Sequence, residues 1–133
     1  MFLLKFLVIL CVFAQTVLTK LFTDEDVHIW NNLIAPYYDD CLLEANISSE
    51  EADAIITEMH ISETKEVGNY LKCLYLKLGM IKANGEIDEK VIMDKAAYMT
   101  PEITKKCKKA TDFGKDVFHK SLLLGDCVLK TFS

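Results

Sequence analysis

SETKEVGNYLKCLYLKLGM, residues 62–80, is the stretch that decides the fold. Its apolar side chains recur at spacings of three and four residues, which places them along one face of an α-helix. Gly79 is typical of a helix C-terminus, because glycine readily adopts the left-handed backbone found there. Strand-like alternation is nearly absent elsewhere, so the sequence predicts an all-α protein. The apolar face of this helix consists of Val67, Tyr70, Leu71, Leu74 and Leu78.

Two helices are expected before this stretch. Thr23 is a good N-cap for the first, and three acidic residues follow it in the first turn, where the helix dipole is positive. This helix is expected to fade near Asn46, and Pro36 is expected to kink it or split it in two, because proline lacks a backbone donor. Ser48 and Glu51 have the spacing of a capping box and predict a short second helix.

Three further helices are expected after this stretch. The fourth is predicted over residues 88–98, and Thr100 with Pro101 predicts the start of a fifth helix that stops at Gly114. The last helix, residues 115–130, is apolar most of the way round, so we expect it at the centre, flanked by the others. The predicted fold is a compact six-helix domain.

The N-terminus has the pattern of a secretory signal peptide. Lys5 precedes an apolar run, residues 6–13, and small or polar residues follow. A spanning helix needs about 20 apolar residues, so we expect cleavage, at one of several suitable positions within residues 14–19. The chain is therefore divided into a signal peptide, residues 1–19, and a secreted, extracellular domain, residues 20–133, that is not inserted in a membrane.

The composition of the predicted secreted domain excludes several functions. Without the signal peptide it has 14 lysines, no arginine and 20 acidic residues, a formal net charge of −6. Lysine and arginine neutralise phosphate in nucleic-acid complexes, so this balance argues against nucleic acid and against an anionic membrane surface. Motifs for nucleotide binding, serine hydrolysis and zinc proteolysis are absent. We expect no enzyme activity, no catalytic residue and no cofactor.

Four cysteines remain once Cys11 leaves with the signal peptide: Cys41, Cys73, Cys107 and Cys127. An even number in a short secreted chain predicts two disulfides. Four cysteines allow three pairings, and their spacing does not choose between them. No two of them have CxxC spacing and no histidine accompanies a cysteine pair, so we expect no metal site.

The cysteine positions resemble those of a known family. In the third helix of insect odorant-binding proteins, the pheromone/general odorant-binding group, Cys-x-x-x-Cys usually precedes an apolar stretch that ends in glycine. Here Cys73 matches the second cysteine, and Asn69 stands at the first. Near the C-terminus the family usually has two cysteines separated by eight residues. Cys127 matches the second of these, and Phe118 stands at the first.

Cys41 and Cys107 match the two remaining family positions. The two missing cysteines bond each other in six-cysteine members, so the chain resembles the four-cysteine, minus-C branch. The resemblance covers the whole predicted secreted domain and rests on the coordinated spacing rather than on one motif. It implies the pairs Cys41–Cys73 and Cys107–Cys127, and hence a disulfide-stapled domain that encloses a hydrophobic pocket.

The resemblance also implies a function in olfaction or in the transport of other hydrophobic molecules. We expect an extracellular carrier of small hydrophobic ligands, such as odorants, pheromones or other lipophilic semiochemicals, with a pocket more pliable than in six-cysteine relatives. A membrane chemoreceptor is a second expected partner, and a monomer or weak dimer is the expected state. The main alternative is a small secreted helical signalling or interaction protein with a solid core. A secreted hydrolase is a third, weaker alternative.

Candidate ligand-binding residues come mainly from the third, fourth and last helices. Tyr70 is the best polar candidate, because a phenol in an apolar cavity can bond a ligand alcohol or carbonyl. For every candidate the alternative is ordinary core packing. The candidates are Tyr70, Leu71, Leu74, Ile92, Met93, Phe113, Phe118, Leu122 and Leu123.

Two other kinds of site are suggested by single residues. Asn46 opens the sequon Asn46-Ile47-Ser48 and is a candidate glycosylation site, with a simple turn as the alternative. Three histidines, His28, His60 and His119, are candidates for a pH switch of ligand release. They are far apart in the sequence, and the alternative is that each is merely solvated or singly satisfied.

Overall fold

The structure is a computed structural model, and it describes residues 21–133. The predicted signal peptide, residues 1–19, lies outside the described residues. Among those residues there is no strand, and Ile81 and Ile87 form only an isolated antiparallel bridge. The prediction of an all-α domain is confirmed. The helices are α1 (Asp24–Ile34), α2 (Tyr38–Ala45), α3 (Ser49–Thr57), α4 (Lys65–Leu78), α5 (Glu89–Lys95), α6 (Pro101–Thr111) and α7 (Val117–Phe132).

Polar side chains cap the start of nearly every helix. In all of the described helices except α2, the N-cap side chain accepts the backbone N–H three residues further on. This bond satisfies one of the donors that a helix start leaves unpaired. At α1 the arrangement is reciprocal, because Asp26 also accepts the backbone N–H of Thr23 at 3.0 Å. The capping residues are Thr23, Ser48, Thr64, Asp88, Thr100 and Asp116.

Pro36 divides the first predicted helix into two. The helix α1 ends at Ile34, α2 begins at Tyr38, and Asn46 closes α2 in the left-handed conformation with φ of 54°. A proline has no N–H to continue the helical hydrogen bonds. The described part of the chain therefore has seven helices where six were expected.

Two disulfides join the helices in pairs. Cys41–Cys73 links α2 to α4 with a Cα–Cα distance of 5.6 Å, and Cys107–Cys127 links α6 to α7 with a distance of 5.5 Å. The pairing implied by the family resemblance is confirmed. We call α2, α4, α6 and α7 the disulfide-linked helices.

The last helix lies between α4 and α6. Its inner side buries Leu124, Gly125 and Leu129, whereas Phe118 and Leu122 are half-buried. The helix is flanked on two sides, as predicted, but it is not enclosed all round.

The two ends of the described chain meet in an aromatic cluster. Phe22 donates its backbone N–H to the carbonyl of Phe132 at 3.2 Å. The rings of Phe22, Tyr98 and Phe132 lie with centroids 5.0 to 5.8 Å apart. Between residues 21 and 133, none of the helices has the length and apolarity needed to cross a membrane.

Candidate functional site

A cavity of about 650 Å³ lies inside the helical domain. Its walls come from α1, α3, α4, α5 and α7, from the first turn of α2, and from loop residues. Most lining side chains are aliphatic or aromatic, and the volume falls in the range of sites for small molecules. The largest lining side chains are Phe22, Trp30, Tyr38, Tyr70, Tyr75 and Tyr98.

The cavity floor is formed where α4 and α7 lie side by side. Leu71 of α4 and Leu124 of α7 contribute apolar surface, and Gly125 leaves room between the two helices. A Cβ atom on Gly125 would lie 3.2 Å from the end of the Leu71 side chain and 3.2 Å from the end of Ile61. Glycine at this position therefore keeps space open inside the domain.

Three buried tyrosines line the cavity, and their hydroxyls have no hydrogen-bond partner among residues 21–133. Tyr70, Tyr75 and Tyr98 are 3%, 6% and 8% exposed, and none of their hydroxyls bonds to another described residue. Burial is the main cause that raises the pKa of each of them above its ordinary value, so all three remain protonated donors at neutral pH. Buried tyrosine hydroxyls usually have a hydrogen-bond partner, and here a ligand or water in the cavity can supply it.

The exposed residues of the lining are Asn31, Ala35, Asp39, Asp53 and Thr57, so the cavity opens to solvent among α1, the first turn of α2 and α3. We call this opening the mouth. Tyr38 lies there half-buried beside the exposed Asp39 and Asp53. The Tyr38 hydroxyl donates to Asp53 Oδ1 at 2.8 Å. Burial and this hydrogen bond raise the pKa of Tyr38 to about 12. The Tyr38 ring meets the Tyr70 ring edge-on at a centroid distance of 6.5 Å, so the mouth leads directly to a buried phenol.

The structure brings three of the nine predicted ligand-binding residues to the cavity, namely Tyr70, Leu71 and Ile92. Leu74 is fully buried in the core but is not among the lining residues. The half-buried Met93, Phe118, Leu122 and Leu123 also lie outside the lining.

Phe113 lies furthest from its predicted place. It is 89% exposed and borders a shallow surface groove on α6, beside Lys105, Lys106 and Lys109. It follows the end of α6 at Thr111, and no helix covers it there. The structure thus places this residue on the surface rather than in the pocket.

The position of Phe118 has a specific cause. Its ring lies against Gly68 of α4, at a place where any Cβ atom would collide with the ring. The face of α7 that lines the cavity is instead formed by Leu124, Gly125, Val128 and Leu129. Because α7 has almost no polar face, its sequence did not reveal which side faces the cavity.

The predicted ligand-binding residues include none from α1 or α3, although both helices form walls of the cavity. Val27, Trp30 and Ile34 of α1 and Ile55 and Ile56 of α3 line the cavity. Both sets recur at the helical spacing of an apolar face, so the sequence does indicate that they face the interior of the domain.

The remaining predicted sites are all on the surface or outside the lining. Asn46 is exposed at the end of α2, as a glycosylation acceptor must be, and modification of it stays a prediction. His28 and His60 are exposed, and the half-buried His119 bonds to Asp116 at 2.7 Å. None of the three histidines lines the cavity.

One grouping of candidate metal-ligating side chains occurs in residues 21–133, namely Cys41, Glu44 and Cys73. The two sulfur atoms are joined to each other in a disulfide. A cysteine must be a thiolate to bind a metal ion, so the disulfide leaves this grouping without a sulfur ligand.

A comparison with known families identifies the chain. A sequence model of the PBP/GOBP family matches residues 30–131, from α1 to α7. The chain belongs to the PBP/GOBP family of insect odorant-binding proteins. Proteins of this family are extracellular binding proteins for small hydrophobic ligands rather than enzymes. No curated protein and no solved structure matches the chain.

Proposed function

We propose that the protein is a secreted, non-enzymatic carrier that holds one small hydrophobic molecule in the cavity. The observation that carries this proposal is an apolar cavity of about 650 Å³ lined by three buried tyrosines whose hydroxyls have no hydrogen bond to another described residue. A molecule with a hydrocarbon body and one oxygen or nitrogen atom would fill the space and satisfy a hydroxyl. Odorants, pheromones and other lipophilic semiochemicals have this character.

The expected affinity suits transport. Burying roughly 300 Å² of apolar ligand surface is worth on the order of 7 kcal/mol, which corresponds to a dissociation constant in the micromolar range. Such a ligand is held during diffusion and released again. A membrane chemoreceptor is the partner we propose for delivery, with the carrier acting as a monomer or weak dimer.

Secretion and branch membership are part of the same proposal. The basic and apolar pattern of residues 1–19 supports export, and two disulfides suit an oxidising compartment. Asn69 and Phe118, at the positions of the missing cysteine pair, support placement in the four-cysteine branch. The alternative of a signalling protein with a solid core is disfavoured by the volume of the cavity.

A fluorescent probe tests the carrier function. The purified, disulfide-bonded protein is titrated with N-phenyl-1-naphthylamine, and the bound probe is then displaced with volatile alcohols, esters and ketones. We expect saturable binding of one probe molecule and displacement at micromolar concentrations. Binding that does not saturate, from a folded and monodisperse protein, would contradict the proposal.

A matched pair of variants locates the binding. Ala52 and Ala54 both belong to α3, but only Ala52 lines the cavity. We expect Ala52→Phe to weaken probe binding at least about tenfold, because the new ring occupies ligand space, and Ala54→Phe to leave it within about twofold. Equal losses in both variants would show that the probe binds elsewhere or responds to a change in fold.

A further inference from the structure

The charges of the molecule are divided between its two halves. Residues 21–66, which include α1, α2 and α3, contain twelve acidic residues and a single lysine. Residues 67–133 contain eight acidic residues and twelve lysines. The mouth of the cavity lies between helices of the first half, so a ligand approaches through a field of negative charge. Such a field favours the approach of cations and opposes that of anions.

The residues that line the cavity show the same excess of negative charge. Asp39 and Asp53 are lining residues, whereas no lysine, arginine or histidine is. Neither carboxylate forms an ion pair with another described residue. Asp53 accepts only the neutral Tyr38 hydroxyl through its side chain. Two carboxylates at the mouth are therefore without a cation from the described part of the chain.

Aromatic side chains lie immediately inside these carboxylates. The rings of Tyr38 and Tyr70 meet edge-on, and Tyr70 is a buried residue that lines the cavity and whose hydroxyl has no hydrogen bond to another described residue. Trp30 also lines the space, with its ring centroid 6.2 Å from that of Tyr75. Aromatic faces attract cations through the ring quadrupole, so carboxylates and rings together form surroundings suited to an ammonium group.

We propose that the mouth is a subsite for the protonated head group of an amphiphilic amine, with the ammonium at Asp53 and Asp39 and the hydrocarbon or aromatic body in the cavity. This inference rests on the proposed carrier function and adds to it the chemical class of the ligand. A carboxylate head group would find no cation in the lining, and burying an unpaired carboxylate is costly. The cavity therefore prefers amines to alcohols of the same chain length, and alcohols to carboxylates.

Three ligands with the same tail test the preference. Decylamine, decan-1-ol and decanoate displace N-phenyl-1-naphthylamine from the purified protein at about pH 7 and low salt, below the concentrations at which they form micelles. We expect decylamine to bind about three- to tenfold more tightly than decan-1-ol, which is the range of a partly exposed ion pair with a cation–π contribution. Decanoate is expected to bind most weakly of the three.

Charge-neutral variants then identify the carboxylates. In Asp53→Asn the amide oxygen still accepts the Tyr38 hydroxyl, so only the charge is lost. We expect the combined Asp39→Asn and Asp53→Asn substitutions to abolish the preference for decylamine over decan-1-ol, through a loss of decylamine affinity. Asp40→Asn is the control, because Asp40 is exposed in the same first turn of α2 but does not line the cavity.

The outcomes separate the two proposals. If decan-1-ol displaces the probe but decylamine binds no more tightly, the amine subsite is overturned and the carrier function stands. If Asp40→Asn reduces the preference as much as the double variant does, the effect is one of net charge and the subsite is also overturned. If none of the three ligands displaces the probe, the carrier function and the inference fail together.

Discussion

The disulfide-linked helices α2, α4, α6 and α7 differ sharply from α1 and α3, two of the three described helices without a disulfide. We call α1 and α3 the unlinked helices. The linked helices contact one another along extended interfaces, between α4 and α7, α6 and α7, and α2 and α4. The unlinked helices approach α4 closely at only a few points, and side chains such as Trp30 reach across the remaining distance towards Tyr75. Helices of both groups line the cavity, although α6 contributes no lining residue.

This difference explains how a chain of 133 residues can enclose a cavity of about 650 Å³. A cavity forfeits side-chain contacts that would stabilise the fold. The linked helices supply stability through close packing and covalent bonds, so α1 and α3 can remain separated from α4. The four predictions below test this division of roles, beginning with the largest expected effect.

Removing a disulfide should affect the linked helices most strongly. The double variant Cys41→Ala with Cys73→Ala removes a disulfide between residues 32 positions apart in the sequence. The double variant Cys107→Ala with Cys127→Ala removes one between residues 20 positions apart. In the loop-entropy account each bridge contributes about 3–4 kcal/mol. We expect each double variant to lose about that much free energy of unfolding, measured by urea denaturation. A loss below about 1 kcal/mol for both would show that the bridges are not what compensates for the cavity.

Adding a disulfide between two of the linked helices should raise the free energy of unfolding, by less than removal of an existing disulfide lowers it. Asn69→Cys with Phe118→Cys introduces a cysteine pair between α4 and α7, at the positions where the proposed alignment with six-cysteine relatives places one. The Phe118 ring already lies against Gly68, the residue before Asn69. We expect the bridge to form and to raise the free energy of unfolding by about 2 kcal/mol. Two free thiols in the folded variant, counted by mass spectrometry after alkylation, would contradict the alignment.

Alkaline pH should destabilise the protein through the cavity tyrosines. An unfolded tyrosine ionises near pH 10, whereas burial raises the pKa of Tyr70, Tyr75 and Tyr98 well above that value. Their contribution to stability is complete below about pH 10 and is lost as the pH rises through the folded-state pKa values, by about 1.4 kcal/mol per pH unit for each tyrosine.

Absorbance at about 295 nm follows this ionisation. We expect Tyr38, at the mouth and with a pKa raised to about 12, to ionise before the three buried tyrosines, which should titrate together with unfolding. Ionisation of all four near pH 10 in the folded protein would contradict the burial of the cavity tyrosines.

The prediction with the smallest expected effect compares the loss of a helix N-cap in an unlinked helix and in a linked helix. Ser48 caps the unlinked helix α3, and Thr100 caps the linked helix α6. We expect Ser48→Ala and Thr100→Ala each to cost about 1 kcal/mol of stability. Hydrogen exchange should accelerate locally in α3 for the first variant, because few tertiary contacts oppose its opening, and less in α6 for the second. Equal local acceleration would remove the distinction between the two regions.

Sequence reasoning predicted the helices well because their starts carry chemical marks. Thr23, Ser48 and Thr100 were identified as caps, and Pro36 was identified as the point of division. Several helix ends differ from the predicted ones. For example, α4 begins at Lys65 rather than near residue 62, because Thr64 is its cap, and α5 ends at Lys95 rather than near residue 98, because Ala96 is extended.

The cavity was harder to predict, for two physical reasons. A uniformly apolar helix such as α7 has no polar side to fix its rotation, so Phe118 and Leu122 were chosen where Leu124 and Val128 line the space. An apolar helix face also looks the same in sequence whether it packs on a neighbour or stands apart from it. Trp30 belongs to such a face, and its spacing in the sequence does not indicate that it borders a cavity. The disulfide pairing came from the family resemblance, not from spacing.

Isoleucine methyl NMR tests the central claim, that the cavity is the ligand site, most directly. Ten isoleucines lie in the described residues, and they divide evenly between the cavity and other places. Saturation with decan-1-ol should shift the methyl signals of Ile34, Ile55, Ile56, Ile61 and Ile92. The signals of Ile29, Ile47, Ile81, Ile87 and Ile103 should stay nearly unchanged. Larger shifts in the second set, or saturable binding without shifts in the first, would contradict the account.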